Sequence, residues 1–436
     1  MNTSMPRRPL WVALDRVWRP LILCVAVALS ARVALQSPVG WHPDEAAHLD
    51  AMEWFYGHPG VPALDSGGLA YSPDGWSRVW TGELVYPLIG RGAALWHRLT
   101  GLRPTAVFPR LFDTSLLLLL LVPLLWGRAR LFNLPAVGAL MAGVPQLLYV
   151  FGYANSDAWA VAVSTLLLLC ALRSLEGGWR VDWLLAGALS ALVLTSKMNA
   201  WFVLPAAWAM LWTGWRNGLG RPWLRLAGAA VLAAGLAAPI LLAPRLAEPG
   251  NWATAVRTQR AHRAWPSFNP EHPTYPTFHL RDRGKPLSSA LADLDWYGTT
   301  CLSTWADFGY MNTTPPRAVR AAEGLVLLGL LGLTVLALRR DGREAAARRT
   351  RLATVAVAAG TLAILLAASI AHSWIVDYQP QGRYLLPGIL LYTVVLGGTP
   401  AGGTSRAARL QKGLIAVHVA LGWAVAFYLG GHITPP

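Results

Sequence analysis

The chain has 436 residues, of which 54% are hydrophobic and only 14% charged, with a formal charge of +15. Soluble domains carry roughly 25% charged residues, so this composition excludes an ordinary soluble enzyme. The positive charge does not mark a nucleic-acid binder, because the arginines fall between apolar runs rather than on a basic soluble module.

Hydrophobic runs recur along almost the whole length, which indicates an all-α polytopic membrane protein. About eleven spans are expected: Leu21–Leu35, Leu111–Trp126, Leu134–Phe151, Ala158–Leu172, Trp183–Thr195, Trp201–Trp212, Leu226–Leu242, Gly324–Leu338, Leu352–Ile370, Leu385–Leu396 and Leu414–Leu429. The fifth and sixth are short and read either as crossings or as a re-entrant pair. The first follows a long basic leader and meets a poor cleavage site at Trp41-His42-Pro43, so it is expected to stay as a helix.

Arginine placement sets the orientation. With the N-terminus inside, Arg7, Arg8, Arg16, Arg19, Arg128, Arg130, Arg173, Arg180, Arg216, Arg221, Arg225, Arg339, Arg340, Arg343, Arg348, Arg349, Arg351, Arg406, Arg409 and Lys412 all become cytoplasmic. Lys197 and Arg383 are the main cations of the short outer connections, and Arg32 runs against the trend. Two long segments, 36–110 and 244–320, then fall on the outer face of a single integral domain spanning residues 1–436. The first contains amphipathic pieces, Asp44–Tyr56 and Leu84–Leu99, expected to lie along the membrane surface. The three cysteines, Cys24, Cys170 and Cys301, form no metal-type or disulfide spacing.

The chemistry concentrates where the first span meets water, in Trp41-His42-Pro43-Asp44-Glu45-Ala46-Ala47-His48. Two readings stand for Asp44 and Glu45. They cap a helix that begins after Pro43, or one of them is a general base at the membrane boundary. Helical spacing puts His48 one turn beyond Asp44 on the same face. Glu45 and His48 also resemble half of a carboxylate metal site. Gly152-Tyr153-Ala154-Asn155-Ser156-Asp157 reads as a tight outer turn that is either a plain N-cap or a carrier for Asp157 near the Asp44 cluster.

Lys197 stands alone between Asp182 and Arg216, and a lysine at membrane depth either snorkels or faces a partner. Arg383, in Gln381-Gly382-Arg383-Tyr384, and Arg110, in Phe108-Pro109-Arg110-Leu111, open later spans on the same outer face. A planar guanidinium fork suits phosphate oxygens. Three cations and at least two acids on one face suggest an anionic lipid head group beside an acid/base centre. Trp305-Ala306-Asp307-Phe308-Gly309 suits either an interfacial aromatic belt or sugar stacking with hydroxyl hydrogen bonds.

In this order, the pieces resemble a membrane glycosyltransferase of the GT-C superfamily. They are most similar to a bacterial family of predicted membrane proteins whose signature reads Pro-Asp-Glu-Pro-Ala-His. Pro43-Asp44-Glu45-Ala46-Ala47-His48 matches it with Ala46 in place of the second proline, and Gln146 through Asp157, Lys197, Trp305 to Gly309 and Gln381 to Pro387 look like its later blocks. The resemblance implies a GT-C-like bundle in the bacterial inner membrane with its active site on the extracytoplasmic side. It implies an inverting transferase that moves a sugar from polyprenyl phosphate to a glycan, lipid or protein acceptor.

Asp44 then takes the place of the key acid, with Glu45 as rival. Lys197, Arg383 and Arg110 would hold the donor phosphate. His48, Asp157, Tyr153, Trp305, Asp307, Gln381 and Tyr384 would support the base or bind the acceptor. No sugar nucleotide is needed and no cofactor is assigned, with Glu45, His48 and Asp157 as the candidate ligands of a divalent metal. A transporter or flippase of lipid-linked glycans is the alternative, since it would use the same cations without an acid/base step.

Overall fold

The computed structural model describes residues 10–72, 75–176, 183–218, 221–248, 250–266, 269, 280–281, 283–340, 345–376, 378–397 and 406–433. Arg7, Arg8, Arg180, Asp182 and Arg343 of the orientation reading lie outside them. In chain order the helices are α1 (Leu10–Gln36), α2 (Glu45–Gly57), α3 (Val85–Thr100), α4 (Val107–Leu125), α5 (Leu134–Ala142), α6 (Pro145–Val150), α7 (Ser156–Ser174), α8 (Trp183–Leu194) and α9 (Leu204–Gly218). They continue as α10 (Pro222–Leu246), α11 (Trp252–Arg263), α12 (Leu287–Leu291), α13 (Leu294–Trp305), α14 (Arg317–Arg340), α15 (Ala345–Ile375), α16 (Ile389–Gly397) and α17 (Arg406–Gly430). Short 3-10 turns cover Arg78–Trp80, Met198–Val203 and Gly382–Gly388. Among the described residues the only β pairing is an isolated bridge between Phe308 and Thr313.

Among the described residues, seven helices are long and apolar enough to cross a membrane: α1 from Val17, α4, α7, α10, α14 to Leu338, α15 from Arg348, and α17. Helix α7 is the hub, 89% buried, whereas α10 and α14 are only 17% and 22% buried. The outer helices turn large apolar side chains outward, with Val231 73% exposed and Leu325 71% exposed. Such faces fit hydrocarbon rather than water.

The other four expected spans are helical but short or broken. Leu134–Phe151 is interrupted because Pro145 offers no N–H and clashes with a continuing helix. Two carbonyls beside the break accept side-chain donors from α17: the His418 Nε2–H donates to Leu140 O at 2.9 Å and the Trp423 Nε1–H donates to Ala142 O at 3.0 Å. The other ring nitrogen of His418 faces the buried Glu323 of α14. Trp201–Trp212 and Leu385–Leu396 each begin as a 3-10 turn before becoming α9 and α16, and α8 has 12 residues.

Both expected surface pieces are helices. In α2, Ala51, Met52 and Phe55 are buried against the Tyr86, Ile89 and Gly90 side of α3. A Cβ on Gly90 would sit 2.5 Å from Met52 O, so glycine is what lets the two helices touch.

Cross-links show that alternate helix ends gather at one end of the bundle. Arg110 at the start of α4 donates to Ala34 O near the end of α1 at 3.1 Å. The Leu84 N–H meets Thr195 O past α8 at 2.8 Å, and Asn199 reaches Tyr384 O at 3.4 Å. At the opposite end, Arg351 donates to Leu131 O at 3.2 Å and Glu176 accepts from the Leu131 N–H at 2.8 Å. Arg128, Arg130, Arg173 and Arg351 therefore lie at the end away from Asp44, Lys197 and Arg383.

The closest helix contact supplies a test. A Cβ on Gly422 would meet Gly143 O at 1.9 Å, while one on Gly413 of the same helix meets nothing within 4 Å. Gly422→Ala is expected to cost about 1–3 kcal/mol, seen as a lowered Tm of the purified protein in detergent. Gly413→Ala should leave Tm unchanged or slightly raised.

Candidate functional site

After α1 ends at Gln36, the chain turns through residues 37–44 before α2. Asp44 sits in the left-handed region at φ 60, ψ 2, and its side chain makes no capping bond to α2. A left-handed non-glycine residue is uncommon and costs energy, so the capping role gives way to another. The Asp44 Oδ2 lies 3.5 Å from Arg78 Nη2 and 3.5 Å from Arg383 Nη2, with the side chain 46% exposed. Burial pushes its carboxyl up, but Arg383, Arg78 and Lys197 outweigh that and hold it below the usual carboxylate range. Asp44 thus stays charged throughout the neutral range.

Asp157 enters from the first turn of α7, whose start is fixed by Asn155 Oδ1 accepting from the Ala158 N–H at 2.9 Å. Its carboxylate straddles Lys197 Nζ, at 2.9 Å to Oδ1 and 3.0 Å to Oδ2, and lies 3.9 Å from Arg383 Nε. Lys197 therefore has a partner at depth rather than snorkelling. The Tyr384 ring underlies both cations, 5.3 Å from Lys197 Nζ and 5.5 Å from the Arg383 guanidinium carbon. Signs alternate through Arg78, Asp44, Arg383, Asp157 and Lys197. Arg383 Nε has no hydrogen-bond partner, and the links to Asp44 are longer than a good charge-assisted bond. These cations are held in place yet not saturated.

Glu45 behaves differently from its neighbour. It is fully buried and takes a two-pronged grip from Arg110, Nε to Oε1 at 2.8 Å and Nη2 to Oε2 at 2.7 Å. The Ala154 N–H adds a bond to Oε1 at 3.2 Å and the Gly40 N–H one to Oε2 at 3.3 Å. With its oxygens occupied, Glu45 is an anchor rather than the rival base. Arg110 spends its remaining donors on the carbonyls of Ala34, Ser37 and Pro38. That leaves no free fork for a donor phosphate, so the expected role of Arg110 is replaced by a structural one.

His48 follows Asp44 by one helical turn, its N–H donating to Asp44 O at 3.1 Å, although Asp44 itself is in left-handed backbone. His48 is buried with Nδ1 2.8 Å from the Tyr86 hydroxyl. Among the described residues no three His, Cys, Asp or Glu side chains converge as a metal site. The candidates Glu45, His48 and Asp157 face Arg110, Tyr86 and Lys197 respectively.

Beside the charged row opens a small cavity lined by Pro43, Tyr153, Asp307, Gln381 and Arg383, with Gln146 and Tyr149 at its wall. The Tyr149 hydroxyl accepts from the Gly309 N–H at 2.9 Å and shares a hydrogen bond with His42 Nδ1 at 2.8 Å. His42 stacks on Tyr153 at 4.7 Å. Burial drives the His42 imidazole down to about 4, against the pull of Glu45 and with some help from Arg110, so the ring is neutral at physiological pH. Burial also lifts the Asp307 carboxyl to about 7, with Arg320 opposing. Trp305 is 9% exposed and packs into the core rather than lining the cavity.

Sequence reading missed Arg78 and Tyr149. Arg78 had a signal, since it is the only Lys or Arg between Arg32 and Arg91. Tyr149 had none, being one polar hydroxyl inside an apolar run. No family model matches the chain, and no curated protein matches it either.

The two neighbouring acids should separate cleanly. Glu45→Gln leaves a buried arginine without its counter-charge and is expected to cost about 3–5 kcal/mol. Asp44→Asn places a residue tolerant of left-handed backbone at a half-exposed position and should stay within about 0.5 kcal/mol of wild type. Thermal unfolding of both purified variants in detergent checks this; equal losses would contradict it.

Proposed function

We propose that the protein is an inverting, polyprenyl-phosphate-dependent glycosyltransferase of the GT-C kind. The single observation that carries the reading is the unsaturated set of Arg78 and Arg383 around a half-exposed, strained Asp44. An oxyanion and a base are thereby called for in the same place. The resemblance of the acid motif and its later blocks to that superfamily supports the same reading.

In the proposed step an acceptor hydroxyl attacks the anomeric carbon of the donor sugar from the side opposite the phosphate. Its proton passes to the Asp44 carboxylate. The bond from the anomeric carbon to the phosphate oxygen breaks, and the electron pair leaves with the lipid phosphate. Arg383, Arg78 and Lys197 stabilise the charge that develops there. Asp157 acts indirectly, holding Lys197 and Arg383 in register. We read the four short or broken helical segments as completing eleven crossings of a bacterial inner membrane. The end rich in Arg128, Arg130, Arg173 and Arg351 is then cytoplasmic and Asp44 extracytoplasmic.

Discontinuous helices also line transport paths in carriers, and the break between α5 and α6 favours a lipid-linked glycan transporter as second reading. One assay separates the two. Purified protein given a polyprenyl-phosphate sugar and an envelope extract should form a glycosylated product, and Asp44→Asn should lower the rate by at least about 10²-fold. Arg383→Ala should raise the donor KM far more than the acceptor KM. Lipid-linked sugar moved across vesicles without any product, at a rate indifferent to Asp44→Asn, would favour the transporter.

A further inference from the structure

We propose, resting on the transfer reading above, that the cavity beside Asp44 is the subsite for the transferred sugar, and that Asp307 reads its hydroxyls. The cavity joins two chemistries. Its lining includes Arg383 and Pro43, the residue before Asp44. It also includes Asp307, Gln146 and Gln381, with Tyr153 supplying an aromatic wall.

Asp307 is 6% exposed, and its Oδ1 has no hydrogen-bond partner. A buried carboxylate oxygen left unmet is costly and calls for a ligand donor. Its position is not accidental, because the Asp307 N–H donates to Gln146 Oε1 at 2.8 Å. That bond fixes the backbone and turns the Gln146 amide at the same time. A carboxylate repels phosphate but accepts well from hydroxyl groups, and an aromatic wall covers the C–H face of a sugar ring. The lining therefore suits a neutral polyhydroxylated ring and not a second anion. Arg383 belongs to both the cavity and the charged row, so the sugar–phosphate linkage falls at Arg383, next to Asp44.

The test compares two probes on the full-length protein in detergent. Bare polyprenyl phosphate reports the charged row alone. Polyprenyl-phosphate glucose, galactose and mannose report the row together with the subsite. Measured well above pH 7, where the Asp307 carboxyl is ionised, wild type should bind at least one sugar-bearing lipid about 10- to 100-fold more tightly than bare polyprenyl phosphate, the usual worth of hydrogen bonds to a charged group. Asp307→Ala should abolish that increment while bare polyprenyl phosphate still binds within about two-fold, which also shows that the variant is folded. Asp307→Asn, which keeps the shape, should lose most of it. If no sugar gives an increment, or if it survives both substitutions, the subsite is refuted while the transfer reading stands. If wild type binds no polyprenyl phosphate, both fall together.

Discussion

The buried pair of Glu45 and Arg110 is the interaction on which the rest of the site depends. Arg110 opens α4, grips Glu45 with two nitrogens and ties down the carbonyls of Ala34, Ser37 and Pro38. Glu45 in turn accepts from Ala154, in the turn leading to α7. One ion pair thus joins the end of α1, the start of α2, the start of α4 and the turn that carries Asp157. Buried pairs of this kind add little net stability but fix register, and removing one partner is expensive. Next to that pair, Asp44 stands in left-handed backbone with its carboxylate turned towards Arg78 and Arg383.

The site divides into tight and loose halves. Lys197 and Asp157 are in close contact and Glu45 is fully bonded, whereas Asp44 meets its two arginines only at 3.5 Å. The tight half fixes where charge sits, and the loose half leaves charge free to act on something else. Preorganised cations that need no rearrangement when negative charge develops are the most effective form of electrostatic stabilisation. The Tyr384 ring beneath Lys197 and Arg383 contributes to that fixity. The proposed chemistry needs both halves.

Much of this was legible in the sequence. The all-helical, membrane-type class followed from apolar runs, and the tight turn from Tyr153 to Asp157 from its Asn, Ser and Asp. The convergence of Asp44, Asp157, Lys197 and Arg383 followed from counting helices so that all four fell on one face. What failed did so for local reasons. Arg110 was read by its charge, but only tertiary contact shows that Glu45 and three carbonyls consume its donors. The span from Leu134 to Phe151 looked continuous because Pro145 sits in an apolar run, and hydropathy does not register a missing N–H. Arg78 was hidden in a loop with no periodicity to assign it a direction.

The most direct test is a structure of the protein with polyprenyl phosphate bound. The phosphate oxygens should lie within hydrogen-bond distance of Arg78 and Arg383, with Lys197 close by and the Asp44 carboxylate freed to face the cavity. A phosphate seated elsewhere, with Asp44 still linked to both arginines, would contradict the account.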